Sequence, residues 1–186
     1  MTVYELILQL DDLLNLGVRS RLDESEEIEQ AMQKDNCCKT LLACCNLVLN
    51  GLYADCELDV RSTVVESVNC FIDTSLFKMG RAKALVDSSG APVPFTYTYG
   101  GLNVKRDGKY NLTYVRLPEN LGFGDPIPAS GKITDRILLL GVAAEFLRVE
   151  GDFNQSESWN AKFKQALDSA FRSKSDARLP RRRWLT

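Results

Sequence analysis

The stretch Lys132-Ile-Thr-Asp-Arg-Ile-Leu-Leu-Leu-Gly-Val-Ala-Ala-Glu-Phe-Leu-Arg-Val-Glu-Gly151 decides the fold class. Its apolar residues Ile133, Ile137, Leu138, Leu140, Ala144 and Leu147 recur at helical spacing, and Glu150-Gly151 supplies the exit. The centre, Ile137 to Ala144, is apolar nearly all round. A helix of that kind has no face for water and is expected at the middle of the core. Gly141 and Ala143-Ala144 are small enough to let a second helix approach closely. Glu145 follows directly on this run, in the middle of the helix. A carboxylate there is either a base held protonated by burial or an outward-pointing partner of Arg136 or Arg148, and the second is expected.

The neighbours of this helix are helical too. Downstream, Asn154 or Ser156 caps a further helix with Trp159, Phe163, Ala166, Leu167, Ala170 and Phe171 at i, i+3, i+4 spacing. At the N-terminus, Thr2 and Glu5 have the form of a capping box, followed by Val3, Leu6, Ile7, Leu10, Leu13 and Leu14. The first helix is predicted over 3–15, with Asn15-Leu16-Gly17 as its exit. A second helix, capped by Asp23 or Ser25 and stopped by Asn50-Gly51, carries a stripe from Ile28 to Leu52. At about 26 residues it would run about 39 Å. Four of the six cysteines form two adjacent pairs on it, Cys37-Cys38 and Cys44-Cys45. Cys38 and Cys45 share a face with Leu41, Leu42, Val48 and Leu49, which favours small buried apolar groups over a redox or metal role. No CxxC occurs, so zinc-type spacing is lacking.

Between residues 56 and 117 the pattern changes. Leu58–Val68 is rich in Val, Thr and Ser and reads as a strand; Asp73–Phe77 reads as a short helical turn. Ala82–Val86, the turn Asp87–Gly90 and Val93–Tyr97 form one predicted hairpin. Leu102–Lys105, the turn Arg106-Asp107-Gly108 and Tyr110–Arg116 form a second, on the strength of its Asp-Gly pair. Pro94 and the shortness of the strands point to edges and a small sheet. Leu117–Gly131 holds three prolines and three glycines, a long loop of the kind that often contacts a partner. The expected fold is α+β: mainly an α-helical bundle of about four helices, with a small antiparallel β-hairpin module inserted between helices two and three. The expected division is 1–55 and 132–173 for the bundle, 56–117 for the β insert, 118–131 for the loop and 174–186 for a basic tail.

Composition narrows the function. In 186 residues there is no histidine, which removes Ser–His and Cys–His mechanisms and histidine metal ligands. No apolar run of about 18 residues is present, so no membrane span is expected; acids near the N-terminus do not suit a signal peptide. Neither GxGxxG nor GxxxxGK[ST] occurs, so Tyr99-Gly-Gly-Leu102 and Gly122-Phe-Gly124 make no phosphate cradle. Asp11-Asp12 and the group Asp23, Glu24, Glu26, Glu27 are acidic clusters; helix capping explains the latter better than a metal does. Tyr97, Tyr99, Tyr110 and Tyr114 stand beside Lys105, Arg106 and Lys109, a pattern that suits base stacking but suits cross-strand packing better. No enzyme, catalytic residue, cofactor, metal or small-molecule substrate is expected.

Charge is unevenly distributed. Residues 1–60 carry twelve acids and four bases, whereas residues 61–186 carry thirteen acids and nineteen bases. The last fifteen residues hold Arg172, Lys174, Arg178, Arg181, Arg182 and Arg183 against Asp176 alone. Charges by themselves describe a solvated terminus. The run Pro180-Arg181-Arg182-Arg183-Trp184-Leu185 adds a stiffening proline and a large indole, and Arg and Trp are the residues most enriched in interface hot spots. Arg178, Arg181, Arg182, Arg183, Trp184 and Leu185 are the candidate partner-binding residues.

Ile137…Gly141-Val-Ala-Ala-Glu-Phe146, Glu150-Gly-Asp-Phe153, Trp159…Phe163-Lys-Gln-Ala-Leu167 and Leu179-Pro-Arg-Arg-Arg-Trp184 resemble small virion proteins from the head–tail gene clusters of tailed phages and prophages. Gly108-Lys-Tyr…Leu112-Thr-Tyr…Leu117-Pro is similar to their β insert. The resemblance, to the head-to-tail connector or adaptor family, covers about residues 80–185; the N-terminal helices match in arrangement only, and the cysteine-rich second helix is not a family trait. It implies a virion structural protein made in the host cytoplasm, in a ring of about twelve copies that joins the portal protein to the next tail component. The C-terminal segment would dock on the portal, and DNA would pass through the ring without sequence-specific binding. The competing reading is a nucleic-acid-binding module using the basic tail, against which the net charge of −2 counts.

Overall fold

A computed structural model describes residues 1–22, 28–128 and 131–171. The helices are α1 (Val3–Leu14), α2 (Val18–Arg21), α3 (Ile28–Lys34), α4 (Asn36–Asp55), α5 (Asp135–Val149) and α6 (Phe153–Phe171). The strands are β1 (Val60–Ser67), β2 (Phe71–Asp73), β3 (Met79–Asp87), β4 (Thr96–Thr98), β5 (Gly101–Asn103) and β6 (Gly108–Arg116). Among the described residues, six helices and two three-stranded antiparallel sheets, with 25% in strands, replace the expected four-helix bundle with its small hairpin module. The chain folds as two compact units. One comprises Met1–Cys44 and the segment from Phe123 onward; the other is Cys45–Gly122.

In the helical unit, α1 begins as its sequence dictates. Thr2 Oγ1 accepts from the Glu5 amide at 3.2 Å and Glu5 returns a carboxylate oxygen to the Thr2 amide at 2.9 Å. The remaining amide donors of the first turn are met by the Pro/Gly-rich segment: Val3 N–H donates to the Asp125 carbonyl and Tyr4 N–H to the Phe123 carbonyl. Val3, Leu6, Ile7 and Leu10 are fully buried on one face. The chain leaves α1 through Asn15 in the left-handed region, and Gly17, at φ 68°, opens α2. Helix α5 is buried from Ile137 through Leu147 apart from Leu139 and Glu145, both half-buried, as its all-round apolarity requires. Thr134 caps it, accepting from Ile137 N–H.

Two helix boundaries differ from expectation. The predicted 26-residue second helix is broken at Asp35. That residue caps α4 by accepting from the Cys38 amide at 2.9 Å and binds Arg21 Nε at 2.8 Å, so its side chain satisfies a helix start in mid-stripe. Helix α4 then runs through Asn50-Gly51 to Asp55, because the buried positions Val48, Leu49 and Leu52 continue past the glycine. Over its 20 residues α4 is long and apolar enough to cross a membrane by length and composition, a test that the core helix of a soluble protein also passes. The caps assigned to Asp23 or Ser25 lie outside the described residues. In α6 neither Asn154 nor Ser156 is the cap. Asp152 accepts from Gln155 N–H at 3.1 Å, while the buried Ser156 donates its hydroxyl to the Ala144 carbonyl of α5 at 2.8 Å.

In the β unit, the second predicted hairpin does not form, and the first forms only around its turn: Val86 and Pro92 bridge antiparallel across Asp87–Gly90, and Val93 N–H donates to the Leu85 carbonyl at 2.8 Å, but Val93–Tyr97 does not continue as a strand beside β3. β6 is the central strand of the order β1-β6-β3, and β5 the centre of β2-β5-β4. Ala82–Val86 therefore pairs with β6, and Thr96–Thr98 pairs with β5. Of the residues assigned to a helical turn at Asp73–Phe77, Asp73 ends β2 and the rest make a single hydrogen-bonded turn, in which Phe77 N–H donates to the Thr74 carbonyl at 3.0 Å. Asp107-Gly108 joins strands of different sheets. The Asp107 carboxylate accepts from the Cys70 amide at 2.5 Å and the Ser67 hydroxyl at 3.1 Å, so it ties the start of β6 to the end of β1. Hydrogen bonding to these donors, Cys70 first, holds the carboxyl below its usual range. Gly101 is required where it stands, since a Cβ would collide with the Ile72 carbonyl oxygen and the Phe71 ring. Val65, Ala82, Leu85, Tyr110, Leu112 and Tyr114 from one sheet and Ile72 and Leu102 from the other bury themselves in one apolar cluster.

Candidate functional site

The residues singled out as partner-binding, Arg178, Arg181, Arg182, Arg183, Trp184 and Leu185, lie outside the described residues. What the structure shows is the helix that leads to them. Along α6 the stripe Trp159, Phe163, Ala166, Leu167, Ala170 and Phe171 is half-buried throughout, and only Ser156 of this helix is buried. Between α5 and α6 lies an open groove of about 510 Å3. Ile137, Leu140, Ala166 and Ala170 give it apolar walls, and Arg136 and Lys162 give it positive charge. Lys132 lies over the Phe171 ring at 5.1 Å and Lys162 over Trp159 at 4.6 Å, so cations cover two of the three aromatic members of the stripe. The groove is open and none of the polar side chains lining it is buried, a form suited to another protein surface rather than to a small substrate.

A second groove of about 480 Å3 includes Arg21, Asn36, Cys37, Thr40, Phe146, Glu150 and Asp152. Burial raises the Asp35 carboxyl, but the hydrogen bond from Arg21 and the amide of Cys38 outweigh it and hold the group below its ordinary range. Burial pushes the Cys37 thiol up, helped by the negative charge of Asp35. A thiol kept protonated in this way is a poor nucleophile. Cys38, with its thiol pushed up to about 12, and Cys44, pushed up to about 11, are more so, burial being the main cause in both. Cys45 is buried as well, and none of the six cysteines is in a disulfide. Cys38, Cys44 and Cys45 are thus placed in the core as small apolar groups, whereas Cys37 is half-buried on the groove wall. Cys70 is exposed. Alkylation of the folded protein with iodoacetamide should modify Cys70 first and leave Cys38, Cys44 and Cys45 untouched until denaturant is added; mass spectrometry of peptides checks the order, and early loss of the Cys38 thiol would contradict it.

The remaining sequence candidates resolve individually. Glu145 faces outward enough to bind Arg148 at 3.1 Å. Tyr110 and Tyr114 are buried in the β unit, with Tyr114 5.6 Å from the Phe77 ring, whereas Tyr97 and Tyr99 are exposed. The four tyrosines do not form one stacking surface. Asp11 and Asp12 separate: Asp12 pairs with Arg19 at the surface, and Asp11 is buried as a hydrogen-bond acceptor for the start of α2. Among the described residues no group of three or more Cys, Asp or Glu side chains is placed to hold a metal ion. Sequence reasoning missed Asn46, whose side chain exchanges two hydrogen bonds with the backbone of Leu121, at 2.8 and 3.1 Å. A partner 75 positions away leaves no local signal.

Comparison with known proteins finds neither a protein-family model nor a curated protein that matches the chain.

Proposed function

We propose that this protein is a non-enzymatic virion structural component, a head-to-tail connector that forms a ring between the portal and the next tail component. The observation that carries the reading is the run from Ile137 to Trp184. Its motifs resemble that family, and its described part is a helical hairpin with a half-covered apolar stripe leading into a basic, indole-ended segment. Two further features support it. The helical unit is assembled from both ends of the chain, with a separate β unit between them in sequence. The groove beside α6 is open and cationic, with apolar walls, and is fit for a protein surface. In this reading Arg178, Arg181, Arg182, Arg183, Trp184 and Leu185 grip the portal, the guanidinium groups by charge-assisted hydrogen bonds and the indole by burial.

The test is assembly with the portal protein encoded alongside it. The full chain should form a ring-on-ring complex visible by electron microscopy. Deleting residues 179–186 should abolish docking while leaving the circular dichroism spectrum and thermal transition of the protein unchanged. Docking by the truncated chain at undiminished affinity would overturn the assignment of these residues. If the full chain instead binds duplex DNA with an affinity that falls steeply with salt and ignores the portal, the basic segment is a nucleic-acid binder.

A further inference from the structure

The β unit treats its two long edge strands differently. Just before β1 the Asp59 carbonyl accepts from the amide of Arg116 in β6 at 2.8 Å, and the register continues without a break from Val60↔Val115 to Ser67↔Gly108. Antiparallel pairing alternates, so the odd-numbered residues of β1 direct their backbone groups at β6, and Val60, Ser62, Val64 and Glu66 direct theirs to the outer edge. Val68 follows the same phase, and its outward groups are taken by Phe71 through reciprocal bonds of 2.9 and 3.1 Å. Among the described residues, no backbone group bonds to the outward edge from Val60 to Glu66.

The edge of β3 is closed by comparison. Leu85 accepts from Val93 N–H, and Asp87 N–H donates to Ala91. The Tyr97 hydroxyl accepts from Ala82 N–H and donates to the Ala82 carbonyl, standing in for a strand. Two register shifts break β3 as well. These are the ordinary guards of a sheet edge, and β1 has none of them over residues 60–66. It also exposes Val60 at 44% and Val64 at 71% on its outer face.

We propose that the outer edge of β1 is a pairing surface for β1 of a second copy of this chain, antiparallel and twofold about Ser62. The sequence of the edge selects that partner. In Val60-Arg-Ser-Thr-Val64 a twofold at Ser62 sets Val60 opposite Val64 of the other copy, at both ends and on the same exposed face, with Ser62 opposite itself. On the other face Arg61 meets a threonine, and no like charges stand directly opposite. The far end selects the register. Phe71 occupies the edge at Val68, so a register centred further along, at Val64, would drive Val60 of the partner into it. The contact is isologous and closes on itself. It is independent of the portal contact: the first is made by backbone groups of the β unit, the second by the C-terminal segment.

Sedimentation of the isolated full chain tests it. Mass should rise from monomer toward dimer as concentration increases from about 5 to about 500 µM, the range in which a short edge contact operates. In Val64→Pro the outward donor is removed at an edge position where proline is tolerated, so the sheet survives. This variant should show at least a tenfold weaker association with an unchanged thermal transition. Val64→Lys should do the same without altering the backbone. A wild-type chain that stays monomeric to 500 µM, or a Val64→Lys variant that dimerises as well as wild type, overturns the proposal. Portal docking by Val64→Lys should be unchanged, which separates failure of this contact from failure of the connector reading.

Discussion

Leu112→Ala is expected to destabilise the β unit by about 3 kcal/mol, within the range found for leucine truncation in packed cores. Leu112 is fully buried at the middle of β6, with Thr63 of β1 and Leu85 of β3 as its lateral neighbours. Both long-edge pairings of the sheet run through it. Its side chain belongs to the apolar cluster that also takes Ile72 and Leu102 from the second sheet. Removing three carbons there leaves a space that surrounding strands, held by their hydrogen bonds, fill only in part. In urea the midpoint of the transition should fall by about 1.5 M if the slope is about 2 kcal/mol/M. Asn111→Ala, next to it in sequence but on the exposed face, should change stability by no more than about 0.5 kcal/mol. Circular dichroism reads both, and equal effects from the two variants would contradict the assignment of faces.

Asp11→Ala should cost about 2–3 kcal/mol for a different reason. Asp11 is 6% exposed and accepts from Val18 N–H at 2.8 Å and Arg19 N–H at 3.0 Å. These are the first donors of α2, and Val18 is fully buried. Alanine would leave a buried donor unpaired and remove the negative charge that complements the helix start. Asp11→Asn keeps one acceptor oxygen and should lose less than half as much. Asp12→Ala, whose carboxylate makes only a surface pair with Arg19 at 2.9 Å, should be close to neutral because exposed ion pairs contribute little. Thermal unfolding of the three variants orders them, and an Asp12 effect as large as that of Asp11 would defeat the argument.

The contrast between Asp11 and Asp12 shows what local sequence hides. Both are acids in one helix at adjacent positions; helical spacing sets Asp11 one turn after the buried Ile7 and Asp12 off that face, but nothing local shows what Asp11 bonds to. The difference comes from the turn at Gly17, which brings the amides of Val18 and Arg19 back over the end of α1. Asp35 is similar. The apolar stripe runs past it, and only its bonds to Cys38 N–H and Arg21 reveal a helix boundary. The Asp107-Gly108 pair is the sharpest case. The dipeptide favours a tight turn, but β6 is claimed on one edge by β1 and on the other by β3, and no edge is left for β5.

Of the candidate site, the sequence identified the cationic terminus and the stripe on α6 that precedes it. The cation cover on Trp159 and Phe171 and the groove between α5 and α6 depend on how the two helices meet. The open edge of β1 was not legible either, since a strand's periodicity is the same whether one or both of its edges are paired.

What the sequence determined by itself is what depends on neighbours within about four residues. The Thr2–Glu5 capping box, the exit through Asn15 and Gly17, the all-round burial of α5 and the strand character of β1 belong to this class. Tertiary structure alone decided the pairing of strands, the break at Asp35 and the continuation of α4 beyond Gly51. Those choices turn on competition between distant segments for the same hydrogen-bonding edges and apolar surface. The free energy that settles such a competition resides in the assembled contacts rather than in the preference of any one segment.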